Sequence, residues 1–181
     1  MQDFVHLHVH SQYSLLDGQA SIPRLVDKAI ADGMRGIAIT DHGNMFAIKE
    51  FWNYVKKKNG ARRDKVKQTS AAIADLQAKV DNDEATEEQK TELAKLKAEY
   101  DSLPKEDFKA IIGCEVYVAR ESKELKRKDV KSDMGGWHLI LLAKNLKGYK
   151  NLIKIVSRAW TDGFYNRPRT DHKDLERFHE G

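Results

Sequence analysis

The sequence predicts an α/β protein, a parallel sheet or barrel clothed in helices, and three observations predict it. Apolar runs of strand length alternate along the chain with stretches of helical period, in the order strand, helix, strand, helix. One of those runs, Arg35-Gly36-Ile37-Ala38-Ile39-Thr40, is almost wholly apolar, as expected of a strand covered on both faces. Histidines and carboxylates recur within or at the ends of these runs, where an unpaired charge is costly.

Each element follows from its own residues. Segment 5–10 alternates with period two: Val5, Leu7 and Val9 take one face of a strand, and His6, His8 and His10 the other. A loop over 11–18 follows. Ser21 caps the first helix, Pro23 stands in its first turn, Leu25, Val26, Ala29 and Ile30 form its stripe, and Gly33 stops it. The strand over 35–40 runs into Asp41-His42-Gly43-Asn44, and Asn44 caps a helix carrying Phe46, Ile48, Phe51, Trp52 and Val55. Residues 59–108 interrupt the rhythm. Ile73, Leu76 and Val80, then Leu93, Leu96, Tyr100 and Leu103, make two narrow apolar seams, and Thr86-Glu87-Glu88-Gln89 reads as a capping box between them. The expectation is an antiparallel helical hairpin inserted into a domain over 1–181. The basic cluster at its base, Lys56-Lys57-Lys58 with Arg62-Arg63, is either a solvated face or a nucleic-acid contact. The rhythm resumes with a strand over 110–118 that carries Glu115 within its apolar run. A basic, flexible loop over 120–136 and a strand over 137–143 opening on His138 come next. Asn145 caps a helix with the stripe Leu146, Tyr149, Leu152, Ile153, Val156 and Trp160. Arg167-Pro168-Arg169 then leads to a short helix at about 171–178.

Bulk properties narrow the function classes. At 181 residues, 40% apolar and 33% charged, the chain can bury one sizeable core. The net charge of +4 suits a phosphate-bearing partner without requiring one. A single cysteine, Cys114, excludes an intrachain disulfide, and with no secretory leader the expectation is the cytoplasm. No apolar run reaches the ~20 residues that span a membrane. The abrupt end at Glu180-Gly181 suggests a fragment of something longer.

The chemistry lies in His8 and His10, Asp17, His42, Glu115 and His138. Histidines two apart on a strand stand about 7 Å apart, close enough to share one ion with bonds of about 2.0–2.1 Å. Parallel α/β folds collect functional residues at the carboxyl ends of strands, so these six side chains are placed to converge. Imidazole and carboxylate without thiolate suit Zn²⁺, Mn²⁺ or Fe²⁺, with Mg²⁺ a further candidate. A carboxylate such as Glu115 can bridge two ions about 3.5–4 Å apart. Asp41 reads either as a group orienting a ligand imidazole or as a cap of the turn. His6, His172, His179 and Cys114 read as structural or surface residues.

Together, His8-Val9-His10, Leu15-Leu16-Asp17-Gly18, Thr40-Asp41-His42-Gly43, Gly113-Cys114-Glu115-Val116-Tyr117 and the run 138–143 resemble the ordered motifs of the polymerase and histidinol phosphatase (PHP) superfamily. The wording of residues 4–18, with Phe164-Tyr165-Asn166-Arg167-Pro168-Arg169 and Phe178-His179-Glu180-Gly181, is similar to the branch that opens bacterial replicative DNA polymerases. The resemblance covers all but about residues 59–108. It implies a distorted (β/α)₇ TIM-like barrel, incomplete here because the family's later ligands would fall beyond Gly181. It also implies a metal cluster of two or three ions, phosphoester hydrolysis, and a 3′–5′ proofreading exonuclease within a DNA-synthesising chain. By motif, His8 and His10 would bind one ion and Asp17 and His42 another, with Glu115 bridging and His138 completing the set. Arg167 and Arg169 are weaker candidates for phosphate. The implied partners are the DNA primer 3′ end, the remainder of a polymerase chain and other replisome subunits. The rival readings are a non-catalytic docking or stabilising module and a free-standing histidinol-phosphatase-like enzyme.

Overall fold

Strand β2, Lys109–Val118, is the axis of the fold, and its alternation explains what surrounds it. Cys114, Val116 and Val118 point one way, into a core with Leu152, Ile155 and Val156. Residues 115 and 117 therefore point the other way, and the period of two makes that side available for chemistry. The computed structural model describes residues 4–181; Met1, Gln2 and Asp3, within the expected domain, lie outside the described residues.

The chain forms two compact units, one of residues up to Tyr54 together with Phe108–Gly181, the other of Val55–Asp107. The first holds a four-stranded, partly open mixed sheet. Strand β1, Gly36–Ile39, is buried throughout and pairs in parallel with β2, Ile39 opposite Ile112. The same register carries on to a lone bridge between His42 and Glu115. Strand β3, Trp137–Leu142, pairs with the other edge of β2, His138 opposite Tyr117. Strand β4, Arg169–Thr170, continues the β1 edge opposite Tyr117 and Val118.

This corrects the expected architecture. Strand β3 runs antiparallel to β2, where the expected rhythm was parallel, and the described residues form a partly open sheet of four strands. Residues 119–136 hold only a single 3-10 turn at Lys131–Asp133, and a parallel return needs a crossover, usually a helix. The connection is also not loose. Arg169, 1% exposed, donates to the carbonyls of Lys123, Leu125, Asp133 and Gly163 at 2.6–3.1 Å.

Segment 5–10 is a second correction. It lies alongside β1 without forming a regular strand: Ala38 N–H donates to the His6 carbonyl and Thr40 N–H to that of Val9. Three residues on one side thus answer two on the other, a bulge that breaks the alternation and leaves Leu7 exposed.

Helix α1, Ile22–Ala31, starts after Ser21 and Pro23 as the sequence requires, and Gly33 ends it with φ of 77°. Ile22, Val26 and Ala29 are its buried face, while Ile30 is exposed. Helix α2, Ile48–Asp81, begins later than expected, because Asn44 caps the turn before it by accepting from Phe46 N–H at 3.1 Å. Ile48 and Phe51 are buried and Phe46 and Trp52 exposed. Helix α4, Leu146–Thr161, is capped by Asn145, which accepts from Gly148 N–H at 3.1 Å. Its buried face is Leu152, Ile155, Val156 and Ala159, so the stripe is rotated from the expected one and Leu146, Ile153 and Trp160 are exposed. Helix α5, His172–Phe178, is capped by Asp171.

In the second unit, α2 runs on to Asp81 and α3, Glu87–Ser102, returns. Thr86 and Gln89 form the reciprocal capping box, with bonds of 2.9 and 3.2 Å. Lys97 bonds Gln77 and Lys65 pairs with Glu99, both at 2.7 Å, so the two helices run antiparallel. Arg62 and Arg63 of the basic cluster are both engaged by Asp107.

Candidate metal centre

Glu115 reaches the site because β2 alternates, and it is buried, 1% exposed. A buried carboxylate needs partners, and four imidazoles supply them. Glu115 Oε2 lies 2.5 Å from His8 Nε2 and 2.6 Å from His10 Nε2. Its other oxygen, Oε1, contacts His138 Nδ1 and lies 3.6 Å from His42 Nδ1. Asp17 Oδ2 lies 2.6 Å from His42 Nε2.

All six expected residues therefore meet, although β3 is antiparallel. The reversal places the start of β3 beside the carboxyl end of β2. His138, opposite Tyr117, is then the diagonal neighbour of Glu115 on one sheet face. His42 arrives through its bridge to Glu115. The turn after it needs Gly43, whose φ is 61° and whose missing Cβ would meet Pro168 at 2.6 Å.

Asp41 is bonded to the loop 11–18. Among the hydrogen bonds of the described residues it reaches no imidazole. Its carboxylate accepts from Ser11 N–H, Ser11 Oγ and Ser14 Oγ at 2.7–2.8 Å. It is the staple of loop 11–18, which carries Asp17. Arg169 does not join the cluster either, since its guanidinium is spent on four main-chain carbonyls. Arg167 does approach. Its Nη1 donates to Tyr117 Oη at 2.7 Å, and Tyr117 Oη lies 3.2 Å from His42 Nδ1. Tyr117 was missed in the sequence, yet its place two residues after Glu115 on a strand was the signal. His6 rests edge-on against Phe4, while His172 and His179 are exposed, all outside the cluster.

Electrostatics fit the crowding. Burial pushes the Glu115 carboxyl up, but hydrogen bonds from His10 and His8 and the nearby His42 and His138 outweigh it and hold it below its ordinary value. Burial raises the Tyr117 hydroxyl against the opposing pull of Arg167. Burial raises the Cys114 thiol to about 12, which keeps it an inert small hydrophobe in the core.

The donor set suits divalent metal. Three groups, His8–His10–Glu115, His10–Asp17–His42 and His42–Glu115–His138, each gather ligand atoms within 4.8 Å of one another. Ligands bound at about 2.0–2.1 Å in a tetrahedron stand about 3.3 Å apart, so such groups close around an ion with small shifts. Nitrogen and oxygen donors without sulfur favour Zn²⁺, Mn²⁺ or Fe²⁺. Glu115 directs one oxygen at each of two groups, the disposition of a bridge.

The fold and the cluster belong together in one family. Residues 6–181 match the PHP domain, and the chain belongs to that family, whose members bind metals. Within it, the chain is similar to DNA polymerase III subunit alpha of Borreliella burgdorferi, 39% identical over 180 residues, which is 98% of this chain and 11% of that protein. The corresponding subunit of Treponema pallidum is 38% identical over 178 residues, 98% of this chain and 11% of that protein. That of Aquifex aeolicus is 33% identical over 184, 99% of this chain and 12% of that protein. The chain spans about a tenth of the length of the curated relatives it matches. No helix among the described residues is long and apolar enough to cross a membrane.

Proposed function

We propose that this chain is the PHP portion of a replicative DNA polymerase III alpha subunit and that it hydrolyses phosphodiesters, acting as a metal-dependent 3′–5′ proofreading exonuclease. The observation that supports the reading is the convergence of imidazoles and carboxylates on Glu115, whose two oxygens face different ligand groups, His8 with His10 on one side and His138 with His42 on the other. His8, His10 and Glu115 would hold one ion, and His42 with Asp17, Glu115 and His138 would hold a second, Zn²⁺ or Mn²⁺ before Mg²⁺ or Fe²⁺. Bound there, such ions would supply an activated water and neutralise charge on a phosphoryl oxygen.

The chain's own residues do the rest. Asp41 fixes loop 11–18 through Ser11 and Ser14 and so sets the height of Asp17. Tyr117 accepts from Arg167 and contacts His42 Nδ1, leaving His42 Nε2 to face Asp17. Arg167, exposed and bonded to Tyr117 beside the cluster, would meet a phosphate. On this reading the hairpin over 59–108 is an insertion in the PHP frame, the working partners are the DNA primer 3′ end and the rest of the polymerase chain, and the site of action is the cytoplasm.

The test is a primer with a 3′ mismatch, incubated with the full chain and Mn²⁺ or Zn²⁺. Metal-dependent release of the 3′ nucleotide, absent from the His8→Ala, His10→Ala double variant, supports the reading. Release no faster than in that variant overturns it, and a chelator-induced drop in melting temperature would then assign the cluster a stabilising role.

A further inference from the structure

A nucleotide presents a charged phosphate and an uncharged, flat base, and the structure offers a different surface to each. The cluster and Arg167 supply the first. Beside them, Trp160 in the last turn of α4 and Phe164 stack with centroids 5.4 Å apart and planes at 16°. Both rings are left in solvent, 46% and 45% exposed, although a paired Trp and Phe would normally be among the better-covered side chains.

The pair is held rigidly and held near the cluster. Trp160 Nε1 donates to the carbonyl of Gly43 at 2.8 Å, the residue directly after His42, so the indole edge is fixed and its face is left out. Phe164 follows Gly163, where an added Cβ would meet the Arg169 carbonyl at 1.9 Å, so the backbone there is clamped to β4. Three residues on, Arg167 reaches Tyr117 and through it His42. The stack is thus tied through Trp160 to the residue after His42, and the loop that carries Phe164 also supplies Arg167. Trp160 and Phe46, also exposed, line a concavity of about 440 Å³ whose lining residues carry no charged side chain. A neutral, aromatic hollow of that size suits a nucleobase better than a sugar or a charged metabolite.

We infer that Trp160 and Phe164 form a stacking platform for the unpaired terminal base of a single-stranded DNA 3′ end, whose adjoining phosphate lies at the cluster. The inference deepens the phosphoesterase reading and takes from it the identity of the charged half of the ligand. A frayed base meets such a platform at no cost in lost pairing, whereas a paired base must first be unstacked.

The experiment compares two 5′-labelled oligodeoxynucleotides by fluorescence anisotropy with the full chain and Mn²⁺, the last linkage a phosphorothioate to slow cleavage. One ends in an ordinary nucleotide and the other in an abasic one. The expected result is binding of the ordinary end tighter by about 5- to 150-fold, the range for one stacked base. Phe164→Ala should abolish that preference and Phe164→Trp should keep it. Because Phe164 is half exposed and makes no hydrogen bond through its side chain, the variant folds on ordinary grounds. As an independent reading, Trp160 emission in a Trp52→Phe, Trp137→Phe background should be quenched by the ordinary end alone. Equal binding of the two ends, a preference that survives Phe164→Ala, or unquenched Trp160 emission overturns the platform. Metal-dependent release of nucleotides without a base preference sinks the platform and leaves the phosphoesterase standing. A base preference without release does the reverse.

Discussion

Two buried charges stand a few residues apart on neighbouring strands, and they have opposite fates. Glu115 of β2 and Arg169 of β4 are each 1% exposed. Arg169 is enclosed: four carbonyls accept from it, and Asp133 beneath them is gripped by Arg127 through its backbone N–H, Nε and Nη2 at 2.9–3.0 Å. Nearby, Lys123 and Arg158 close on Asp174 in the same manner. Glu115 is instead ringed by four imidazoles, of which His8 and His138 are largely exposed. The comparison teaches that burial of a charge does not mark a reactive site. The nature of its partners does. Permanently charged or main-chain partners make a closed structural network, while imidazole nitrogens open to solvent make a place for a cation.

The largest expected effect separates the two directly. On the proposed phosphoesterase reading, Glu115→Gln keeps shape and removes the carboxylate shared by two ligand groups, so phosphodiester hydrolysis should fall by about 10³-fold or more with the melting temperature nearly unchanged. A variant that loses fold and activity together would place Glu115 with Arg169. The converse change is Arg169→Met, which strands four carbonyls and should cost about 3–5 kcal/mol in chemical denaturation. Arg169→Lys should rescue little, since an ammonium cannot span four acceptors in a plane. Metal bound per folded molecule should stay at the parent value in both.

A smaller effect tests the edge of the cluster. Tyr117→Phe removes the group between Arg167 and His42, and metal affinity should drop about 10- to 100-fold while stability holds. An unchanged titration by calorimetry would confine Tyr117 to packing. The smallest concerns pH. The hydrogen bond from Arg127 holds the Asp133 carboxyl at about 2, below its ordinary value. Its contribution is therefore complete above the unfolded value and is lost as pH falls from about 4 toward 2. Amide exchange in residues 119–136 should accelerate across that window in the parent and not in Asp133→Asn.

Much of this was legible in the sequence, for local reasons. Ser21, Pro23 and Gly33 delimit α1 by their backbone preferences, and the alternation of residues 114–118 assigns Glu115 to one face and Cys114 to the other. Glu115 and His138 were legible because a strand seldom carries an acid or an imidazole without use, and His8, His10, His42 and Asp17 because they stand within or just after apolar runs of strand length. What was not legible depends on partners distant in sequence. The bulge in segment 5–10 is set by hydrogen bonds from β1. The buried face of α4 is set by its packing on Cys114, Val116 and Val118 of β2. Arg169 takes its meaning from carbonyls in four separate places, which no motif records. The direction of β3 follows from the missing crossover helix between it and β2, against the parallel rhythm of the elements before.

The most direct test counts metal. Crystals or solutions of the full chain equilibrated with Mn²⁺ and freed of excess should retain more than one ion per molecule. Anomalous peaks should appear on either side of the Glu115 carboxylate, and Glu115→Gln should lose at least one of them. A chain that retains no ion near His8, His10 and Glu115, or that binds equally after Glu115→Gln, would contradict the account.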